Sequence, residues 1–113
     1  MNALFLIVGK ELCSSRVETV LTDLKFQNYM CVDGPDAADW LMQDGYSCDV
    51  LIVDRGLFDT RAAAEDWIAS NPQAMPVLTD KCQIWSPGFQ DQLSRTVRNS
   101  RDGSISRQTY EVH

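Results

Sequence analysis

The stretch 51-LIVDRG-56 runs three branched aliphatic residues into a carboxylate and stops at a glycine. With Val50 it makes an unbroken apolar run, Val50 to Val53, the mark of a strand covered on both faces as in a parallel sheet. Asp54 then stands at the carboxyl end of that strand, on the rim where open α/β folds place their ligands and chemistry. A second run of this kind, Ala3 to Val8, precedes it, and "MPVLT" (residues 75–79) follows. Amphipathic segments separate these strands. Val17, Val20, Leu21 and Leu24 recur at helical spacing, and Ser15 with Glu18 has the form of a capping box. "YMCV" (29–32) reads as another strand, and Pro35 opens a helix carrying Ala37, Trp40 and Leu41. "TRAAAEDWIASNP" (60–72) is an alanine-rich helix that ends before Pro72. The order βαβαβαβ predicts an α/β fold, a parallel sheet with helices on both faces.

After Thr79 the alternation breaks. Gln83–Trp85 reads as a short fifth strand, and the following segment is a helix with Phe89, Leu93 and Val97 on one stripe. Only Asp80 to Cys82 separate this strand from the fourth, whereas a parallel crossover takes roughly a dozen or more residues. The segment is therefore expected to pair antiparallel as an edge, to stay irregular, or to be exchanged with a second copy of the chain. Any of these leaves an unusual sheet edge and invites a homodimer with an exchanged or rearranged fifth strand and helix. Trp85, Phe89, Leu93 and Val97 are its expected interface. The polar segment 100–113 reads as a linker, and its last residues, "QTYEVH", alternate like the start of another strand. One domain over residues 1–99 is expected, followed by a linker leading into a further unit.

The 113 residues are 44% hydrophobic and 23% charged, as in an ordinary globular domain. A net charge of −6 argues against direct contact between this segment and nucleic-acid backbones. The apolar start lacks a basic flank and a cleavage site, and no run approaches the ~20 residues of a membrane span, so a cytoplasmic protein without membrane contact is expected. Cys13, Cys31, Cys48 and Cys82 form no CxxC pair and the only histidine is His113, which speaks against zinc. Buried reduced thiols are expected, with a redox role for Cys13 as the other reading. Trp40 and Trp67 fall on helix stripes and are expected in core or helix-packing roles. No phosphate-binding glycine loop, nucleophile elbow or catalytic histidine is present, so no enzymatic activity is expected.

An apolar first strand, Asp54 ending the third strand, Thr79 ending the fourth and a Ser-Pro at Ser86–Pro87 together resemble a response-regulator receiver domain. The resemblance covers about residues 3–99 and implies a flavodoxin-like fold. In this family the aspartate ending the third strand accepts a phosphoryl group from a sensor histidine kinase. Two acidic residues after the first strand hold Mg²⁺, and a hydroxyl and a lysine bind the phosphoryl oxygens. By that resemblance Asp54 is the phospho-acceptor position and Thr79 the hydroxyl.

The acidic pair is replaced by Gly9 and Lys10, with Glu11 third; the lysine is replaced by Ser86; and the family's fourth helix is missing. Lys10, Glu11, Thr79 and Ser86 line the expected pocket. Lys10 is expected to pair with Asp54, and Glu11 with Asp54 is the weak candidate for a metal. A carboxylate accepts a phosphoryl group poorly unless cations offset the gathered negative charge. The resemblance thus implies a receiver with a degenerate pocket, controlled by dimerisation. The tail resembles the OmpR/PhoB class of two-component transcription regulators, in which DNA is bound by a domain that would lie outside this chain. The alternatives are a conventional Mg²⁺-dependent receiver phosphorylated on Asp54, and a stand-alone adaptor.

Overall fold

The third strand is buried along its whole length, which places it inside the sheet. The computed structural model describes residues 4–98. Strands β1 (Leu4–Val8), β2 (Asn28–Val32), β3 (Val50–Asp54) and β4 (Met75–Thr79) form one sheet in the order β2-β1-β3-β4, and every pairing is parallel. Helices α1 (Ser15–Asp23), α2 (Pro35–Gln43) and α3 (Arg61–Ala69) connect successive strands, and a fourth helix, α4, occupies residues 87–98. This four-stranded α/β sheet flanked by four helices among the described residues is compatible with a flavodoxin-like fold. None of these helices is long and apolar enough to cross a membrane.

Alternation along the strands divides the core into two layers. Phe5, Ile7, Val50, Ile52 and Val77 face α1 and α4, and Leu6, Val8, Leu51 and Val53 face α2 and α3. The inner strands are apolar on both faces because both faces are covered. Trp67 joins α3 to α2: its indole N–H donates to Asp39 Oδ1 at 3.1 Å, and its ring lies against Phe58. Trp40 departs from its expected core or helix-packing role. It is 71% exposed, because α2 turns Ala38 to the sheet and leaves the other side of this short helix to solvent. The expected capping box also fails. Ser15 is already the first residue of α1, and the Glu18 N–H bonds to the Ser14 carbonyl at 3.2 Å.

Gln83–Trp85 is not a strand; it is one turn of 3-10 helix. Asp80 causes the curl, since its Oδ1 accepts from the backbone N–H groups of Cys82 and Gln83 at 2.9 and 2.8 Å. Ile84 is driven into the core, and Arg16 on α1 holds the Ile84 carbonyl through Nε at 2.6 Å. Ser86 then caps α4, its hydroxyl accepting from Gly88 N–H at 3.2 Å, and Pro87 supplies a first-turn residue that needs no donor. Residues 80–86 thus carry the chain from the edge of the sheet onto the face already held by α1.

This placement corrects the expected dimer surface. Phe89, Leu93 and Val97 are buried in the chain's own core rather than free to meet a second copy. Trp85 remains 64% exposed, with the Arg16 guanidinium 5.9 Å from its ring centroid. The expected linker and the strand-like "QTYEVH" lie outside the described residues. Replacing Leu93 by alanine opens a cavity between α4 and the sheet. A loss of about 2–5 kcal/mol is predicted in urea unfolding, with the native mass unchanged. A near-neutral effect on stability with an altered native mass would contradict the core placement.

Candidate functional site

The chain leaves β1 toward β2 on one side and leaves β3 toward β4 on the other, so the carboxyl ends of β1 and β3 form the point at which strand order reverses. Crevices at such points hold the ligands of open α/β sheets. Gly9 follows β1 and Asp54 ends β3. Asp54 is only 6% exposed, and its Oδ1 accepts from Gly56 N–H at 2.8 Å, which caps the short 3-10 turn Arg55–Leu57.

Two glycines enclose this carboxylate. Gly9 has φ +130°, a conformation that side chains disfavour, and a Cβ there would stand 2.7 Å from Asp54 Cβ. A Cβ on Gly56 would stand 3.1 Å from Asp54 Oδ1. The position where the resemblance would put an acidic metal ligand is therefore closed by backbone packed on Asp54. Gly9 is further fixed by its N–H, which donates to the Val32 carbonyl at 2.9 Å.

Thr79 is the register partner of Asp54 and is 1% exposed, and its Oγ1 has no hydrogen-bond partner. An unpaired buried hydroxyl costs roughly 1–3 kcal/mol, so this atom is the part of the site best suited to receive a ligand oxygen or donor. The structure therefore brings Asp54 and Thr79 to one place. Lys10 and Glu11 lie on the 3-10 turn Lys10–Leu12, which buries Leu12 and leaves both charged residues exposed. The expected Lys10–Asp54 ion pair is not made. Among the described residues the pairs are Arg55–Asp80, Arg61–Glu65 and Arg95–Asp91. The Ser86 hydroxyl serves α4 as its cap.

Reading the sequence missed Arg55 and Asp80, which bridge the ends of β3 and β4. Arg55 Nε lies 3.2 Å from Asp80 Oδ2, an ion pair across the ends of the two strands. Asp80 titrates below the usual carboxylate range, first because Gln83 N–H donates to it, with Cys82 N–H and the Arg55 charge adding to this against some desolvation. The signal was legible in part: an aspartate just past a strand, two and three residues before the amides it caps, is a turn former. Arg55 is thereby committed away from Asp54.

The donor set does not fit Mg²⁺. An octahedral ion is usually held by one or two carboxylates with its waters, yet Glu11 is exposed on its turn and the second acidic position is Gly9, shut by Asp54 itself. Among the described residues no group of three or more His, Cys, Asp or Glu side chains could hold a metal ion. Comparison of the chain with protein-family models, with curated proteins and with solved structures found no match.

Substituting Gly9 by alanine forces either the positive φ or the Asp54 contact to give. A destabilisation of about 1–3 kcal/mol is expected in chemical unfolding, and a neutral Gly9→Ala would contradict the enclosure. Asp80 gives a second test. A depressed folded pKa contributes stability that is present above the ordinary value of about 4 and lost as pH falls through the folded value. The stability difference between the wild type and Asp80→Asn should therefore shrink below about pH 4; a difference that stays constant from pH 6 to pH 2 would contradict the assignment.

Proposed function

We propose that this chain is a receiver-like regulatory domain whose phospho-acceptor pocket has become structural and whose output passes through association with other molecules. The Gly9–Asp54 contact carries this reading. The aspartate is kept at the end of β3, but its carboxylate is spent on Gly56 N–H and the place of the metal-binding acid is filled. The likeness to receivers draws support from the β2-β1-β3-β4 order and from Thr79 standing in register with Asp54. The direct passage through residues 80–86 onto the α1 face is where the chain departs from the family. In this reading the fourth helix and fifth strand of the family are omitted, and α4 takes the place of the family's fifth helix.

The omission leaves β4 at an edge of the described sheet, with Trp85 exposed beyond it. A homodimer formed there, with phosphorylation dispensable, is the favoured route of control. DNA would be reached only through a domain outside this chain, in a cytoplasmic transcription regulator, and the domain itself would catalyse no reaction. The orphan hydroxyl of Thr79 favours a second reading, in which the pocket still closes around a phosphoryl group delivered to Asp54 by a kinase.

Beryllofluoride with Mg²⁺ decides between them, because it mimics the phosphorylated aspartate. Titration followed by tryptophan fluorescence and by light-scattering mass, with Asp54→Ala as control, is predicted to give no saturable Asp54-dependent change. A dimer mass already present in plain buffer is predicted with it. A saturable response that Asp54→Ala abolishes would establish the conventional receiver and overturn the structural-pocket reading.

A further inference from the structure

The described sheet ends in β2 on one side and β4 on the other, and the two edges offer different things. The Val32 carbonyl accepts the Gly9 N–H at 2.9 Å, so by the alternation of a parallel ladder Asn28, Met30 and Val32 turn their N–H and C=O groups to β1. The N–H and C=O groups of Tyr29 and Cys31 therefore point away from the sheet. On β4 the Met75 N–H donates to the Asp49 carbonyl at 3.0 Å, so the outward positions are Pro76 and Leu78, and Pro76 has no N–H to give. A proline so placed guards an edge against further backbone pairing. β2 carries no such guard. Asn28–Val32 holds no proline, glycine or charged residue, and Met30 at its middle is 45% exposed.

We propose that the β2 edge is a pairing surface for a second copy of this chain, joined antiparallel about a two-fold axis through Met30. The strand is complementary to itself in that arrangement. Tyr29 N–H meets the Cys31 carbonyl of the second copy, Cys31 N–H meets its Tyr29 carbonyl, and the axis repeats both bonds. Each outward group of Tyr29 and Cys31 is thereby paired, and Met30 makes an apolar contact with its own copy on the axis.

Charge selects both the direction and the occupant. Lys25 precedes the strand and Asp33 and Asp36 follow it; all three are exposed, and none belongs to an ion pair among the described residues. An antiparallel second copy sets each Lys25 beside the other chain's Asp33 and Asp36, whereas a parallel one sets like charges side by side. A cation before and acids after an uncharged strand is the pattern this edge requires of its partner, and it is the pattern the chain itself presents. The contact is separate from the β4 edge and Trp85, and it does not rest on the reading of the Asp54 pocket.

Amide hydrogen exchange followed by NMR over a concentration series of the purified chain, with light-scattering mass on the same samples, tests the pairing. The Tyr29 and Cys31 amides should exchange as open ones in dilute solution and slow as the mass rises, while the Met30 amide stays protected throughout. Cys31→Pro removes an outward donor and leaves the bonds to β1 whole. It should abolish the concentration-dependent protection of Tyr29, with Met30 still protected as the sign of an intact fold. Lys25→Glu should move that protection to higher concentration, and adding Asp33→Lys should restore it. Trp85→Ala, on the β4 side, should leave it unchanged. Tyr29 and Cys31 amides that stay open in samples with the mass of a dimer would put the dimer contact elsewhere and overturn the proposal, as would a mass that stays monomeric at every concentration.

Discussion

Asp54 is a carboxylate delivered to the end of a strand buried on both faces, and the surrounding loops take the shape that makes it tolerable. A buried charge is costly unless it is hydrogen-bonded. The turn after β3 therefore curls back so that Gly56 N–H meets Oδ1, and the turn after β1 passes so close that only glycine fits at position 9. Gly9 in turn is anchored to Val32. One carboxylate thus links the ends of β1, β2 and β3, and its strand partner Thr79 brings β4 to the same rim.

The other determinant is the brevity of the passage after β4. Residues 80–86 are too few to carry a helix across the sheet, so no further parallel strand follows directly. Asp80 turns the passage into a hydrogen-bonded curl, Ile84 plugs it into the core, and Arg16 ties it to α1. Without that curl the apolar stripe of α4 would have no face to cover. With it, Phe89, Leu93 and Val97 complete the layer over Phe5, Ile7 and Val50.

The four parallel strands and three crossover helices were legible because their signals are local: apolar runs for strands covered on both faces, a period of 3.6 for the helices, and Pro35 and Pro72 as boundaries. The position of Asp54 at a strand end followed from the same run. Gln83–Trp85 misled because three residues, Gln-Ile-Trp, fit a strand or a tight turn equally well, and only the Asp80 cap decides between them. The α4 stripe was seen, but not which surface it would cover, since that is a tertiary choice. Gly9 looked like a missing acid. Its role as the one residue compatible with the Asp54 contact depends on backbone geometry that sequence spacing does not encode. Three of the cysteines, Cys13, Cys31 and Cys82, proved exposed rather than buried.

If the account is right, retention of the aspartate reports on structure: its carboxylate is bound within the chain and the space beside it is backbone. Amide hydrogen exchange at Gly56 tests this most directly. The Gly56 N–H should exchange slowly in the wild type and lose that protection in Asp54→Ala, while amides in the middle of β1 and β3 stay protected. A Gly56 amide that exchanges in the wild type as fast as an open loop would show the carboxylate to be free, and would contradict the account.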